Sequence, residues 1–283
     1  MVAAAIGAPY SETTTRAVLD AYGENFCNGA VLWRATNRPG DVLNYRFYER
    51  HPVDTIDVAV RNGLLVPESQ LAKLVTSWSS LYDGTPEQSC DFDSDIGLSK
   101  TWVYLGDMRP LDDILSIPGI SESIRSHKPL FNKLDLNLVR HVAVDYRKNT
   151  LNIYFRAKGP ASLQQITEYT ILAGANPPGP DLFNEMMKYL SPSGYTFSVT
   201  LHADTGAIER VGFYALKLPP GEFPTIDDRL SIFFSTAPSY DEEEMNAIAW
   251  SFGKNGKTYI KAERSYCGDL VNLMRDWNST FSC

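Results

Sequence analysis

Cationic and aromatic residues recur at every second position of several strand-like runs, and that spacing can do chemistry. Asn44, Arg46 and Tyr48 alternate with Leu43, Tyr45 and Phe47, while Lys100, Trp102 and Tyr104 alternate with Thr101, Val103 and Leu105. Asn152, Tyr154 and Arg156 stand against Leu151, Ile153 and Phe155, and Arg210, Gly212 and Tyr214 against Val211, Phe213 and Ala215. Lys261, Glu263 and Ser265 share one side of a last run, and Arg140 is assigned to the polar side of 138–144. A face of guanidinium, ammonium, amide and phenol groups cannot stay unpaired in a dry core. It needs a wet or ligand-filled space, suited to a small anionic or aromatic ligand. The inward cations Arg46, Lys100, Arg140, Arg210 and Lys261 would repel one another unless an anion joined them.

Taken singly, each of these residues has a plainer reading. A lone Lys or Arg on a strand is more often a solvated edge residue, Trp102, Tyr104 and Tyr154 could be core packing, and Glu263 with Arg140 could be a structural ion pair. His51, His127, His141 and His202 show no ligand spacing. Gly256-Lys257-Thr258 imitates the end of a phosphate-binding loop, but Ser251 takes the first glycine position and the segment lies between strands.

The elements that must position these residues are five strand pairs: 30–36 with 42–48, 89–94 with 98–105, 138–144 with 151–156, 195–202 with 208–218, and 245–252 with 258–266. Turn signals separate them, among them Asn37-Arg38-Pro39-Gly40, Asp145 to Asn149, Asp204-Thr205-Gly206 and Gly253-Lys254-Asn255-Gly256. Helical stretches lie between: 11–26 capped by Ser11, 53–61, 67–82 opening on Pro67 and Glu68, pieces within 110–131, then 162–173, 181–190, 226–235 and a closing 269–277. This is an internal repeat of helix, helix, strand, strand. Antiparallel pairs with one apolar and one polar face are best satisfied by an α+β fold: a ten-stranded antiparallel β-barrel, helices outside, a solvent-filled lumen inside. The expectation is one domain over 1–283.

The net charge of −8 and pI of about 5.1 argue against a nucleic-acid or anionic-membrane surface. The opening MVAAAIGAPY lacks the basic region and length of a signal peptide, and no stretch approaches a membrane span, so a cytoplasmic, monomeric protein is expected. Cys27, Cys90, Cys267 and Cys283 form no CxxC pair, suggesting neither zinc nor a disulfide framework.

The stretches LSKTW (98–102), LSIPGI (115–120), DYRKNTLNIYF (145–155), TFSVTLHADTGAIER (196–210) and YIKAERSYCGD (259–269) resemble the soluble ABBA aromatic prenyltransferases of the CloQ/NphB type, bacterial and fungal enzymes built on a ten-stranded PT barrel. The resemblance implies ionisation of dimethylallyl diphosphate and capture of the allyl cation by an electron-rich aromatic such as a phenol or dihydroxynaphthalene. The alternative is a non-catalytic barrel that binds a small anionic or aromatic ligand. Carried over residue by residue, the diphosphate ligands are Lys100, Lys148, Arg210 and Lys261 with Asn152. Trp102 and Tyr154 become walls around the allyl chain, and bulky Trp102 favours five carbons over ten. Asn44 stands where the magnesium-dependent members have an aspartate, with Arg46 two residues on as a fixed cation in the metal's place. Asp112-Asp113 does not continue as a metal-binding DDxxD. The resemblance therefore implies no cofactor and no Mg²⁺ requirement. It places Arg140 and Glu263 toward the aromatic substrate, Glu263 as proton acceptor or phenol partner, with Tyr214 and Ser265 shaping that end. Parity does not separate Trp33 from Arg34, and Arg156 receives no role.

Overall fold

Residues 1–48, 52–83, 87–241 and 244–267 are described by a computed structural model. Its strands are β1 (Ala30–Thr36), β2 (Asn44–Tyr48), β3 (Glu87–Asp93), β4 (Gly97–Pro110), β5 (Leu138–Asp145), β6 (Thr150–Lys158), β7 (Gly194–His202), β8 (Ile208–Ala215), β9 (Met245–Gly253) and β10 (Lys257–Tyr266). Each pairs antiparallel with its neighbours in sequence, and β10 pairs with β1 through Val31↔Tyr266 to Thr36↔Lys261, which closes the barrel. Closure removes the open edges that a ten-stranded sheet would otherwise expose.

The hairpins turn tightly at one end of the barrel. Asn149 (φ 50°) and Asn255 (φ 60°) adopt the left-handed conformation that Asn tolerates. Gly206 (φ 67°) has a second reason to be glycine, because a Cβ there would lie 2.7 Å from the Ser123 carbonyl carbon.

The apolar side of each strand faces outward, under the helices. Val142, Phe155, Phe197, Phe213 and Trp250 are fully covered in one continuous core with Trp78 and Tyr169 from helices 70–79 and 163–171. Tyr45, Phe47 and Phe92 pack on Val18 and Tyr22 of helix 12–28, whose Tyr22 hydroxyl donates to the Thr55 carbonyl at 2.8 Å. Side-chain caps start five of the described helices: Ser11, Asp54, Ser69, Ser162 and Asp227 each accept from a backbone N–H of the first turn.

Two details differ from the sequence expectation. The helix expected from Pro67 starts after Ser69, whose hydroxyl provides the cap that Pro67 and Glu68 cannot. A short helix, Val2–Ala5, precedes Ser11, whereas the helix expected over 226–235 is present as Asp228–Thr236. The helix expected over 269–277 lies outside the described residues.

Candidate active site

The inner face of β1, β2 and β3 holds a buried ionic network around Asp91, which is 1% exposed. Cross-strand register places Arg46 opposite Asp91, and Arg34 opposite Asn44, which in turn faces Asp93. Arg46 grips Asp91 through Nε and Nη2, the latter at 3.1 Å, and Arg34 Nη1 reaches the same carboxylate at 3.0 Å. Arg34 also donates twice to Asn44 Oδ1, at 3.1 and 2.8 Å, while the Asn44 amide donates to Asp93. Burial pushes the Asp91 carboxyl up, but the Arg46 and Arg34 guanidiniums more than offset it and bring it to about 2. Glu263 on β10 lies 4.0 Å from Arg46.

A second group of cations lines β4, β8 and β10. Lys100 stands opposite Asp145 and meets its carboxylate at 3.2 Å. Arg210 Nη2 donates to Thr200 Oγ1 at 3.1 Å, and Thr200 passes its own proton to Asn152 Oδ1 at 2.6 Å. Lys261 donates to the Tyr214 hydroxyl at 3.0 Å. Burial first, then the neighbouring Arg210, Arg34 and Lys100 charges, hold the Lys261 ammonium well below its usual range. Lys100 is brought down to about 8 by burial, which its Asp145 partner only partly offsets. Arg210 and Lys261 thus have hydroxyl partners here, where the Arg34–Arg46 pair has a carboxylate.

Because the folded Lys100 releases its proton more readily than the unfolded chain does, its burial cost is full below pH 8 and is relieved as pH rises toward 10.5. Anion binding has the opposite trend. The dissociation constant for inorganic pyrophosphate should rise as pH climbs through about 8, and binding near that pH should take up protons. Calorimetry in buffers of different ionisation heat reads both, and a flat profile from pH 7 to 9.5 would contradict the assignment.

Between these groups lies an apolar cluster separate from the outer core: Trp102, Tyr154 and Tyr214 with Ala143 and Ala249. Tyr154 packs on Trp102 at 4.6 Å and edge-on to Tyr214 at 5.8 Å, and the Arg46 guanidinium sits over Trp102 at 4.3 Å. Burial raises both phenols, Tyr154 well above its usual range, so they stay protonated. Tyr214 also forms one wall of a cavity of about 160 Å³ with Tyr195, Thr196, Leu216 and Lys217. The lumen can therefore hold an anion on fixed cations and keep an apolar group against aromatic rings in a water-poor space.

The sequence model of the family described as aromatic prenyltransferase Orf2 matches residues 1–278. An aromatic prenyltransferase of Sclerotinia sclerotiorum is 58% identical over 99% of this chain and 92% of its own length. This chain belongs to the aromatic prenyltransferase family. A 4-hydroxyphenylpyruvate 3-dimethylallyltransferase of Streptomyces niveus is 44% identical over 99% of this prenyltransferase and 86% of its own length. Two solved structures share the fold at 10% identity. Prenyltransferase PriB with L-tryptophan and dimethylallyl thiolodiphosphate has a TM-score of 0.53 over 93% of this chain and 92% of its own. A 5-dimethylallyl tryptophan synthase from Streptomyces coelicolor, in complex with DMASPP and Trp, has 0.54 over 93% of this chain and 91% of its own.

Within this prenyltransferase, strict alternation places Asn44, Arg46, Lys100, Trp102, Asn152, Tyr154, Arg210, Tyr214, Lys261, Glu263 and Ser265 on the inner side, and the register agrees. Lys148, whose role the resemblance supplies, lies in turn 146–149 and is exposed, so no strand holds its side chain toward the lumen. Arg140 is buried beside Tyr104, 5.6 Å from the ring centroid, but a register shift between Val139 and His141 carries it there. Alternation from Val142 and Val144 would have turned it outward, so its assigned side holds for a different reason. Glu263 stands opposite Arg34 on β1 and lies 4.0 Å from Arg46. Arg34 faces the lumen and Trp33 packs outside on Tyr45 at 6.3 Å, which resolves the pair that parity left open. Arg156 donates to the Ser193 and Gly194 carbonyls and serves the barrel rim.

Sequence reasoning missed the anionic half of the lumen: Asp91, Asp93 and Asp145. Their signal is present as Ser89, Asp91 and Asp93 alternating with Cys90 and Phe92. Lumen cations are thus tempered by fixed carboxylates rather than awaiting an anion in full.

Proposed function

We propose that this prenyltransferase transfers a dimethylallyl group from dimethylallyl diphosphate to a phenolic acceptor by electrophilic aromatic substitution, without a metal ion. The observation that carries the reading is the placement of Lys100, Arg210 and Lys261 beside the inner aromatic cluster, with Arg210 and Lys261 on hydroxyl partners. These cations and Asn152 take the diphosphate oxygens. As the C–O bond breaks, its electron pair leaves with the diphosphate, where the charge it develops is met by fixed donors. Tyr154 and Tyr214 flank the allyl cation, excluding water from it. The acceptor ring supplies the electron pair of the new C–C bond and then loses its ring proton, for which Glu263 is the acceptor. Arg140, Ser265 and Tyr104 shape the acceptor end, and Arg140 is suited to a carboxylate on the acceptor, consistent with the substrate named for the Streptomyces niveus relative.

The residues at the position that a magnesium ion would take do not suit one. Asn44 is committed to Arg34 and Asp93, and Asp91 already meets two guanidiniums, so neither offers a free anionic oxygen. Arg46, held by Asp91, supplies fixed positive charge instead. Small molecules are the partners in this reading, and the enzyme is taken as a cytoplasmic monomer. No helix among the described residues is long and apolar enough to cross a membrane.

Incubation with dimethylallyl diphosphate, EDTA and a panel of phenols, phenolic acids and dihydroxynaphthalenes tests this by mass spectrometry. The expected product carries one added dimethylallyl unit, with turnover in EDTA within about twofold of that in magnesium. Loss of turnover in EDTA would overturn the metal-free step, and absence of product across the panel would overturn the donor–acceptor assignment.

A further inference from the structure

Trp102 reads from its sequence position as an aromatic face for the allyl cation, yet both of its faces are already covered. Its cross-strand neighbours are small, Ser89 on β3 and Ala143 on β5. That leaves room on either side for longer side chains from the next strands out. Arg46 on β2 comes in from one side and lies over the ring at 4.3 Å, and Tyr154 on β6 comes in from the other at 4.6 Å. What the indole has left for a ligand is its edge. Its Nε1–H is buried and has no hydrogen-bond partner, in a residue that is 8% exposed.

A second donor stands two strands away on the same inner face. Ala143 pairs with Trp102 on one side and with Asn152 on the other. The Asn152 amide orientation follows from its neighbours: Arg210 can only donate, so Thr200 Oγ1 accepts from it and gives its own proton to Asn152 Oδ1. Asn152 Nδ2 is thereby turned away from Thr200, and it too is buried without a partner. Buried donors left unmade are costly, and native chains keep few of them. Two of them flanking one alanine, beside Arg210, call for a ligand that brings acceptor oxygens in number. A phenolic acceptor presents a single hydroxyl on its ring, with any carboxylate at the far end of the molecule, whereas a diphosphate offers several clustered anionic oxygens.

We propose that Trp102 acts through its indole N–H as a hydrogen-bond donor to the diphosphate, paired with the Asn152 amide across Ala143, and not through its π-face. This rests on the reading of the lumen as a diphosphate site. Both nitrogens are covered in the ligand-free chain, so the entering diphosphate parts the side chains above them and then satisfies both. Trp102 thereby joins Lys100, Arg210 and Lys261 in stabilising the leaving group, while Tyr154 and Tyr214 remain the rings available to the allyl cation.

The test uses the full chain labelled with ¹⁵N-tryptophan, whose 5 tryptophans give resolvable indole N–H signals. The Trp102 signal is identified by its loss in Trp102→Phe. Inorganic pyrophosphate and, in a separate sample, 4-hydroxyphenylpyruvate are titrated while calorimetry follows binding. The expected result is a downfield shift of the Trp102 indole proton with pyrophosphate and a smaller one with the phenol. Trp102→Phe, which keeps a ring but loses the N–H, should raise the pyrophosphate dissociation constant roughly tenfold. Calorimetric binding of pyrophosphate with an unmoved Trp102 signal overturns the proposal and leaves the diphosphate site standing, as does a shift seen only with the phenol. No pyrophosphate binding at all overturns the diphosphate site and this proposal together.

Discussion

An Asp91→Ala chain should lose about 3–5 kcal/mol of folding stability, because it leaves buried guanidiniums without their counter-ion. Asp91 is the anion shared by Arg34 and Arg46, and it lies on the central strand of the β2–β3–β4 segment, where no solvent can take its place. Removing a partner from a buried pair costs more than the pair itself contributes, since desolvation of the remaining charge is not returned. A urea denaturation series reads the effect as a lowered midpoint. Combining Asp91→Ala with Arg46→Met should restore part of the loss by deleting one of the stranded cations, a non-additivity that a double-mutant cycle measures. In the unaltered chain the Asp91 contribution is present above the ordinary carboxylate value of 3.8 and is lost as pH falls from there toward about 2. An Asp91→Ala midpoint equal to that of the unaltered chain would mean that the network is not an energetic support of the barrel.

Lys261→Met should produce the opposite pairing of effects: donor binding weakened by about 1.5–3 kcal/mol, with stability unchanged or raised. The ammonium is held among Arg210, Arg34 and Lys100 with a phenol as its hydrogen-bond partner, so its charge is a cost to the empty barrel and an asset only to an anion. Methionine keeps the length and removes the charge. Titration with dimethylallyl thiolodiphosphate gives the affinity, and thermal unfolding without ligand gives the stability. Lys148→Ala serves as the contrast, since an exposed turn residue should alter donor affinity by less than Lys261 does. Equal affinities for the Lys261→Met and unaltered chains would remove Lys261 from the donor site.

Most of the inner face is legible because strand periodicity is a local property. Once β2, β4, β6, β8 and β10 are recognised, the alternation of Arg46, Lys100, Asn152, Arg210 and Lys261 with apolar residues fixes their side without knowledge of any partner strand. Closure follows for the same reason, since five hairpins with one polar face each leave few other ways to hide it. What escapes is whatever depends on register or on departures from it. The bulge that carries Arg140 inward exists only as a shift between β5 and β6. Asp91 becomes the anchor of Arg34 and Arg46 only through the pairing of β2 with β3, across a long connection with helices 55–61 and 70–79. Lys148 illustrates the converse limit: a family position transfers a role to it, but its turn gives its side chain no assigned face. The faces of Trp102 are hidden by residues two strands away, which alternation within β4 cannot report.

The central claim is that the diphosphate sits on the Lys100–Arg210–Lys261 side of the lumen with its allyl group against Tyr154 and Tyr214. A crystal structure of the full chain with dimethylallyl thiolodiphosphate, grown in EDTA, tests it most directly. The account predicts phosphate oxygens within hydrogen-bond distance of Lys100, Arg210, Lys261 and the Asn152 amide, with no metal between them and Arg46. A diphosphate bound at the Tyr104–Arg140 end, or seated on the exposed turn at Lys148, would contradict it.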